Sequence, residues 1–156
     1  MNYQTVIFYG IALFMVTGCG SHPAYHIYET PKSYSSQQCN ITQKESYIWL
    51  EQESEWDELP NQAREQFEQA DIDWVKENIL IVSMGKKPSA GYGVRLSRWL
   101  LEPDHWQVVE ILSTPREGSM QAMMMTSPCV LVKIPKSVKS FYLNNEEGQT
   151  LGRWSY

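Results

Sequence analysis

The run Ile79-Leu80-Ile81-Val82 constrains this chain more than any other four residues in it. It is apolar throughout, largely β-branched and too short for a helix, so it reads as a strand buried in the middle of a sheet. Weaker signals of the same kind surround it. Tyr92, Val94 and Leu96 alternate with Gly93, Arg95 and Ser97, the period of two that a half-buried strand shows. Val130, Val132 and Ile134 alternate again between Pro128 and Pro135. Tyr47-Ile48-Trp49-Leu50 is aromatic and β-branched, and Trp106 to Leu112 follows a turn at Pro103-Asp104. Phe141-Tyr142-Leu143 and Leu151 to Trp154, around a turn from Asn144 to Gly148, read as a closing hairpin. Between the first two strands, Ser54 can cap a short helix with acids in its first turn, and Asn61 can cap another turn or two through Phe67. Six or seven short strands with one or two short helices predict a mainly β (α+β) domain. The expected architecture is a small antiparallel sheet sandwich or a partly open barrel.

Composition narrows the function classes. The chain has 156 residues, 18 Asp+Glu against 13 Lys+Arg, and a net charge of −5, so it lacks the basic field that holds a phosphate backbone. Nucleic acid is not an expected partner. A hydrophobic share of 42% with 12% aromatics supports a packed core. The charge is uneven: residues 45–77 carry 11 acids and two bases, whereas residues 78–156 carry six acids and nine bases. Such asymmetry can steer a partner, but it is more often a solvated face.

Residues 1–18 contain no charged side chain, and Val6 to Val16 is apolar apart from Tyr9 and Gly10. That run is too short to span a bilayer as a helix. It ends in Val16-Thr17-Gly18-Cys19, which resembles the lipobox of bacterial lipoproteins, although no Lys or Arg precedes the apolar stretch. The resemblance implies a signal peptide over residues 1–18, cleavage before Cys19, and acylation of that thiol. Acyl chains there would hold the protein on membrane lipid, each buried methylene contributing about 0.8 kcal/mol. Gly20 in place of Asp implies an envelope lipoprotein in the outer membrane, facing the periplasm. Residues 19–38, rich in Ser, Gln, Tyr and Pro, read as a flexible tether with a reach of about 25 Å. The folded domain is expected over residues 39–156. His22 and His26 have metal-ligand spacing, but Pro23 between them favours a solvated coil.

With Cys19 acylated, Cys39 and Cys129 remain. In an oxidising envelope they either form one disulfide or stay as two buried thiols. Catalysis finds little support, and no enzyme is expected. Ser83-Met84-Gly85-Lys86 matches Ser-x-x-Lys, but Ser83 ends a β-type run instead of opening a helix. His105 lies in a turn, and no cofactor or metal constellation stands out. Met120 and Met123-Met124-Met125 suit a methionine-rich strand or an adaptable contact surface better than a copper site.

The stretch Gly85-Lys86-Lys87-Pro88-Ser89-Ala90-Gly91-Tyr92 carries the most information. Two glycines can bracket a sharp loop, Pro88 stiffens it, and Lys86 and Lys87 project from it. A rigid connection between strands is the plain alternative. Several landmarks together resemble the C-terminal domain family of the protease complex subunit PrcB. They are Ile79–Val82, Gly85-x-x-Pro88-Ser89-x-Gly91-Tyr92, Val108-Val109-Glu110, the Pro115–Gly118 loop, and Thr126-Ser127-Pro128-Cys129 leading to Pro135. The likeness runs from about Tyr47 to the end. It implies a non-catalytic module that associates with or stabilises a protease, and it brings no catalytic residues with it. The expected partner is an unidentified envelope protein, a protease foremost. It would be gripped by Gly85, Lys86, Lys87, Pro88, Ser89, Gly91 and Tyr92, with Trp99 and Trp106 as aromatic anchors. The alternative is a protease inhibitor of β-rich type, because Pro88 to Tyr92 also resembles a loop of chagasin-type cysteine-peptidase inhibitors.

Overall fold

A computed structural model of the chain describes residues 29–155. The leader, Cys19, His22, His26 and the first half of the expected tether, residues 19–28, lie outside the described residues. Among the described residues, eight strands form two four-stranded sheets, packed face to face as a sandwich. The first sheet holds β1 (Ser33–Ser36), β2 (Ser46–Leu50), β3 (Glu77–Ser83) and β6 (Cys129–Pro135), in the order β1-β6-β3-β2 and antiparallel throughout. The second holds β4 (Gly93–Leu101), β5 (His105–Ser113), β7 (Ser140–Asn144) and β8 (Thr150–Ser155), in that order, with β5 and β7 parallel. The expected mainly β sandwich is what the chain forms. The sheets do not close into a barrel.

The apolar run that dominates the sequence has a direct structural reason. Leu80 and Val82 of β3, with Val130, Val132 and Ile134 of β6, face the second sheet. There they meet Val94, Trp106, Val108, Phe141 and Leu143. Ile79, Ile81 and Leu131 point the other way, under Phe67, Ala70 and Leu50, with Trp56, Ile72 and Trp74 at the margin. Both faces of β3 are therefore covered, so alternation is lost there. Each fully buried aliphatic side chain contributes about 1.5–3 kcal/mol, which makes these two strands the core of both layers.

The cover on the outer face is α1 (Glu53–Asp57), α2 (Asn61–Glu65) and a 3-10 turn at Glu68–Ala70. The first helix is capped by Gln52 and not by Ser54. Glu55 folds back to accept the Gln52 N–H at 3.3 Å and the Glu51 N–H at 2.7 Å, satisfying donors that a helix start leaves open. The acidic segment lies on this layer, with Glu53, Glu65, Glu68 and Asp71 exposed.

One boundary moves. The expected tether extends to Gln38, yet Ser33–Ser36 is β1, paired with Val132 to Cys129 of β6. The pairing uses backbone groups at an edge, so it needs little apolar patterning. Just beyond it, Cys39 and Cys129 are joined by a disulfide, with their Cα atoms 6.1 Å apart and both side chains buried.

Candidate functional site

The strand directions bring three connections to one end of the sandwich: residues 37–45 before β2, residues 84–92 between β3 and β4, and residues 114–128 between β5 and β6. The 84–92 loop is held from both sides. At its start Gly85 has φ +70°, a left-handed conformation that glycine adopts without strain. A Cβ there would also stand 2.5 Å from the Lys44 carbonyl carbon. The Gly85 N–H donates to Ser83 Oγ at 3.1 Å, and the Lys86 N–H donates to the Gln43 carbonyl at 3.2 Å.

On its other side the loop pairs with residues 115–126. Lys87 and Thr126 exchange backbone hydrogen bonds of 2.8 and 3.0 Å, the Ala90 N–H donates to the Ala122 carbonyl at 3.1 Å, and Thr126 Oγ1 donates to the Ser89 carbonyl at 3.1 Å. The Lys87 ammonium lies 5.6 Å from the centre of the Tyr92 ring. Lys86 and Pro88 are exposed. Gly91 has φ +91°, and a Cβ there would approach Gln121 Oε1 to 2.7 Å. Gly91→Asp is therefore expected to separate the two loops at a cost of about 1 kcal/mol. Amide exchange at Ala90 and Lys87 would quicken, whereas amides in β3 would keep their protection; unchanged exchange at Ala90 would contradict the pairing.

The two tryptophans proposed as anchors lie elsewhere. Leu101 pairs with Trp106 at the far end of the second sheet, while Gly93 pairs with Ser113 at the loop end. Trp106 is buried, and Trp99 meets it edge-on at 6.3 Å. Both belong to an aromatic cluster with Phe141, Trp154 and Trp49, in which Trp49 stacks on Trp154 at 5.1 Å. In their place the structure sets Met120, Met123, Met124 and Met125 beside the loop, all exposed. The rim they form is apolar, and the flanking Lys86 and Arg116 are exposed cations.

Between the sheets at this same end sits a group that the sequence reading passed over. Glu110 faces inward from β5 and is buried. Tyr47 bridges to it from β2: its hydroxyl lies 3.2 Å from Glu110 Oε2 and 2.6 Å from Glu45 Oε1. Burial first, and then the Glu45 charge, push the Glu110 carboxyl up from an ordinary 4.5 to about 7. Burial and the two carboxylates likewise push the Tyr47 phenol above its usual range. The signal was available: Trp106, Val108 and Glu110 share the inward phase of a period-two strand.

Among the described residues, nothing at this end assembles a nucleophile with a base. Ser83 is buried, its Oγ occupied by the Gly85 N–H, and Lys86 is exposed. His105 lies at the opposite end of β5, its Nδ1 2.9 Å from Ser140 Oγ. A concavity of about 410 Å³ under the helices is lined by Trp56, Arg64, Phe67, Glu68 and Trp74 among others, with no Ser, Cys or His.

No curated protein and no solved structure matches the chain. A family model does, over residues 79–135, a narrower span than the likeness from Tyr47 onward. That span begins in β3 and ends with β6, so it contains the 84–92 loop, the 114–128 loop and Glu110. Across these strands and loops, the chain is similar to the PrcB C-terminal family.

Proposed function

We propose that this chain is a lipid-anchored envelope lipoprotein, fixed through Cys19, whose loop end docks a protein partner without catalysis. The PrcB C-terminal domain marks a protease-associated module, and a protease is the partner we infer. One observation carries the reading. The family match falls on the two mutually bonded loops, and these present an exposed apolar and cationic rim at one end of a rigid sandwich. Large exposed apolar surface on an ordered scaffold is a common mark of an interaction site.

The test is photo-crosslinking in intact cells, with the reactive side chain placed at Lys86 or Met123. A control probe goes at Val75, which is exposed at the opposite end. Discrete adducts from the loop probes and none from Val75 are expected; equal yields from all three would remove the loop end from the account. The anchor is checked separately. Cys19→Ala is expected to move the protein from the membrane to the soluble fraction, and unchanged membrane retention would sink the lipoprotein reading. Loss of papain activity on titration with the purified protein would point to an inhibitor.

A further inference from the structure

We propose that Met120, Met123, Met124 and Met125 form an oxidant-reactive modification site, which peroxide converts from an apolar to a polar surface. The inference rests on exposure and chemistry, not on the identity of any partner. These side chains are 96, 92, 50 and 60% exposed, whereas Met84 is 3% exposed in the inter-sheet core. Thioether oxidation follows access, so one chain holds both the reactive group and its internal control.

The chemistry needs only a hydroperoxide. A sulfur lone pair attacks the terminal oxygen of the peroxide and the O–O bond breaks. The proton of the attacked oxygen passes to the departing oxygen, leaving water or an alcohol. Sulfur is oxidised by two electrons to the sulfoxide, and the peroxide is reduced by two. Each event replaces a soft apolar group with a strong hydrogen-bond acceptor.

The fold is built to survive this. The segment is pinned through its backbone, by Ala122 with Ala90 and by Thr126 with Lys87, and none of these bonds uses a methionine side chain. Residues Thr126 to Cys129, which follow directly, are buried. Oxidation therefore changes the surface and leaves the sandwich in place.

The test treats the purified full chain with hydrogen peroxide and follows it by peptide mass mapping and by retention on a phenyl resin. Each of the four loop methionines is expected to gain oxygen roughly tenfold faster than Met84. Retention should fall, near-ultraviolet dichroism should hold, and methionine sulfoxide reductases A and B together should restore retention. A variant with all four methionines changed to Leu should keep its retention through peroxide treatment. Oxidation of Met84 at the same rate would overturn the proposal. So would an equal retention shift in the leucine variant, or loss of the dichroism signal on oxidation.

Discussion

Replacing Cys39 and Cys129 together by alanine is expected to remove about 4–5 kcal/mol of stability. The bridge spans a sequence separation of 90, and a cross-link of that length strongly limits the unfolded chain. A domain of this size has about 5–15 kcal/mol in total, so the loss takes a large share. The bond encloses β2 to β5 and leaves β1, β7 and β8 outside its loop. Both cysteines are buried, so dithiothreitol should act slowly on the folded chain and quickly once urea opens it. Urea denaturation of the double variant checks the magnitude. A loss below about 1 kcal/mol would mean that the unfolded chain is compact without its cross-link.

Most of the sandwich was legible because burial writes itself into alternation. The runs at Ile79, Tyr92, Val130 and Phe141 all became strands, and the continuous character of the first reports a second layer over β3. What escaped did so for physical reasons. β1 reads Ser-Tyr-Ser-Ser, and an edge strand held by backbone bonds can be polar on both faces. The parallel pairing of β5 with β7 joins strands separated by residues 114–139, and no local pattern encodes such a partnership. The first helix is capped two residues before Ser54, at Gln52, because Glu55, not a hydroxyl, satisfies the open donors.

The site was legible in part. The glycine-bracketed loop was found from its turn residues, and both glycines do adopt positive φ. Residue type alone links Trp99 and Trp106 to this loop, and strand direction sends them to the other end. The methionines are a visible cluster in the sequence, yet only the antiparallel pairing of β5 with β4 and of β6 with β3 brings their loop to the end that carries Lys86.

The folded chain is expected to lose stability as pH rises through the window from 4.5 to about 7, and Glu110 is the reason. Its carboxyl is raised in the folded state, so within that window the folded chain holds a proton that the unfolded chain has released. Stability is therefore greater on the acid side, falls as pH passes through the window, and levels off above it. A rise of that size corresponds to about 3 kcal/mol, at about 1.4 kcal/mol per tenfold. The effective dielectric of a protein interior is higher than that of dry protein, so about 2 kcal/mol of this is expected. Glu110→Gln keeps the shape and an acceptor for the Tyr47 hydroxyl, but carries no charge. The variant should match the wild type near pH 4.5 and exceed it by about 2 kcal/mol at pH 8. Glu45→Gln should recover a smaller part of the same difference, because the Glu45 charge is a lesser cause than burial. Other carboxylates titrate in both proteins, so the readout is the difference between urea midpoints across the range. Parallel pH profiles for wild type and Glu110→Gln would show that the buried acid does not set the slope.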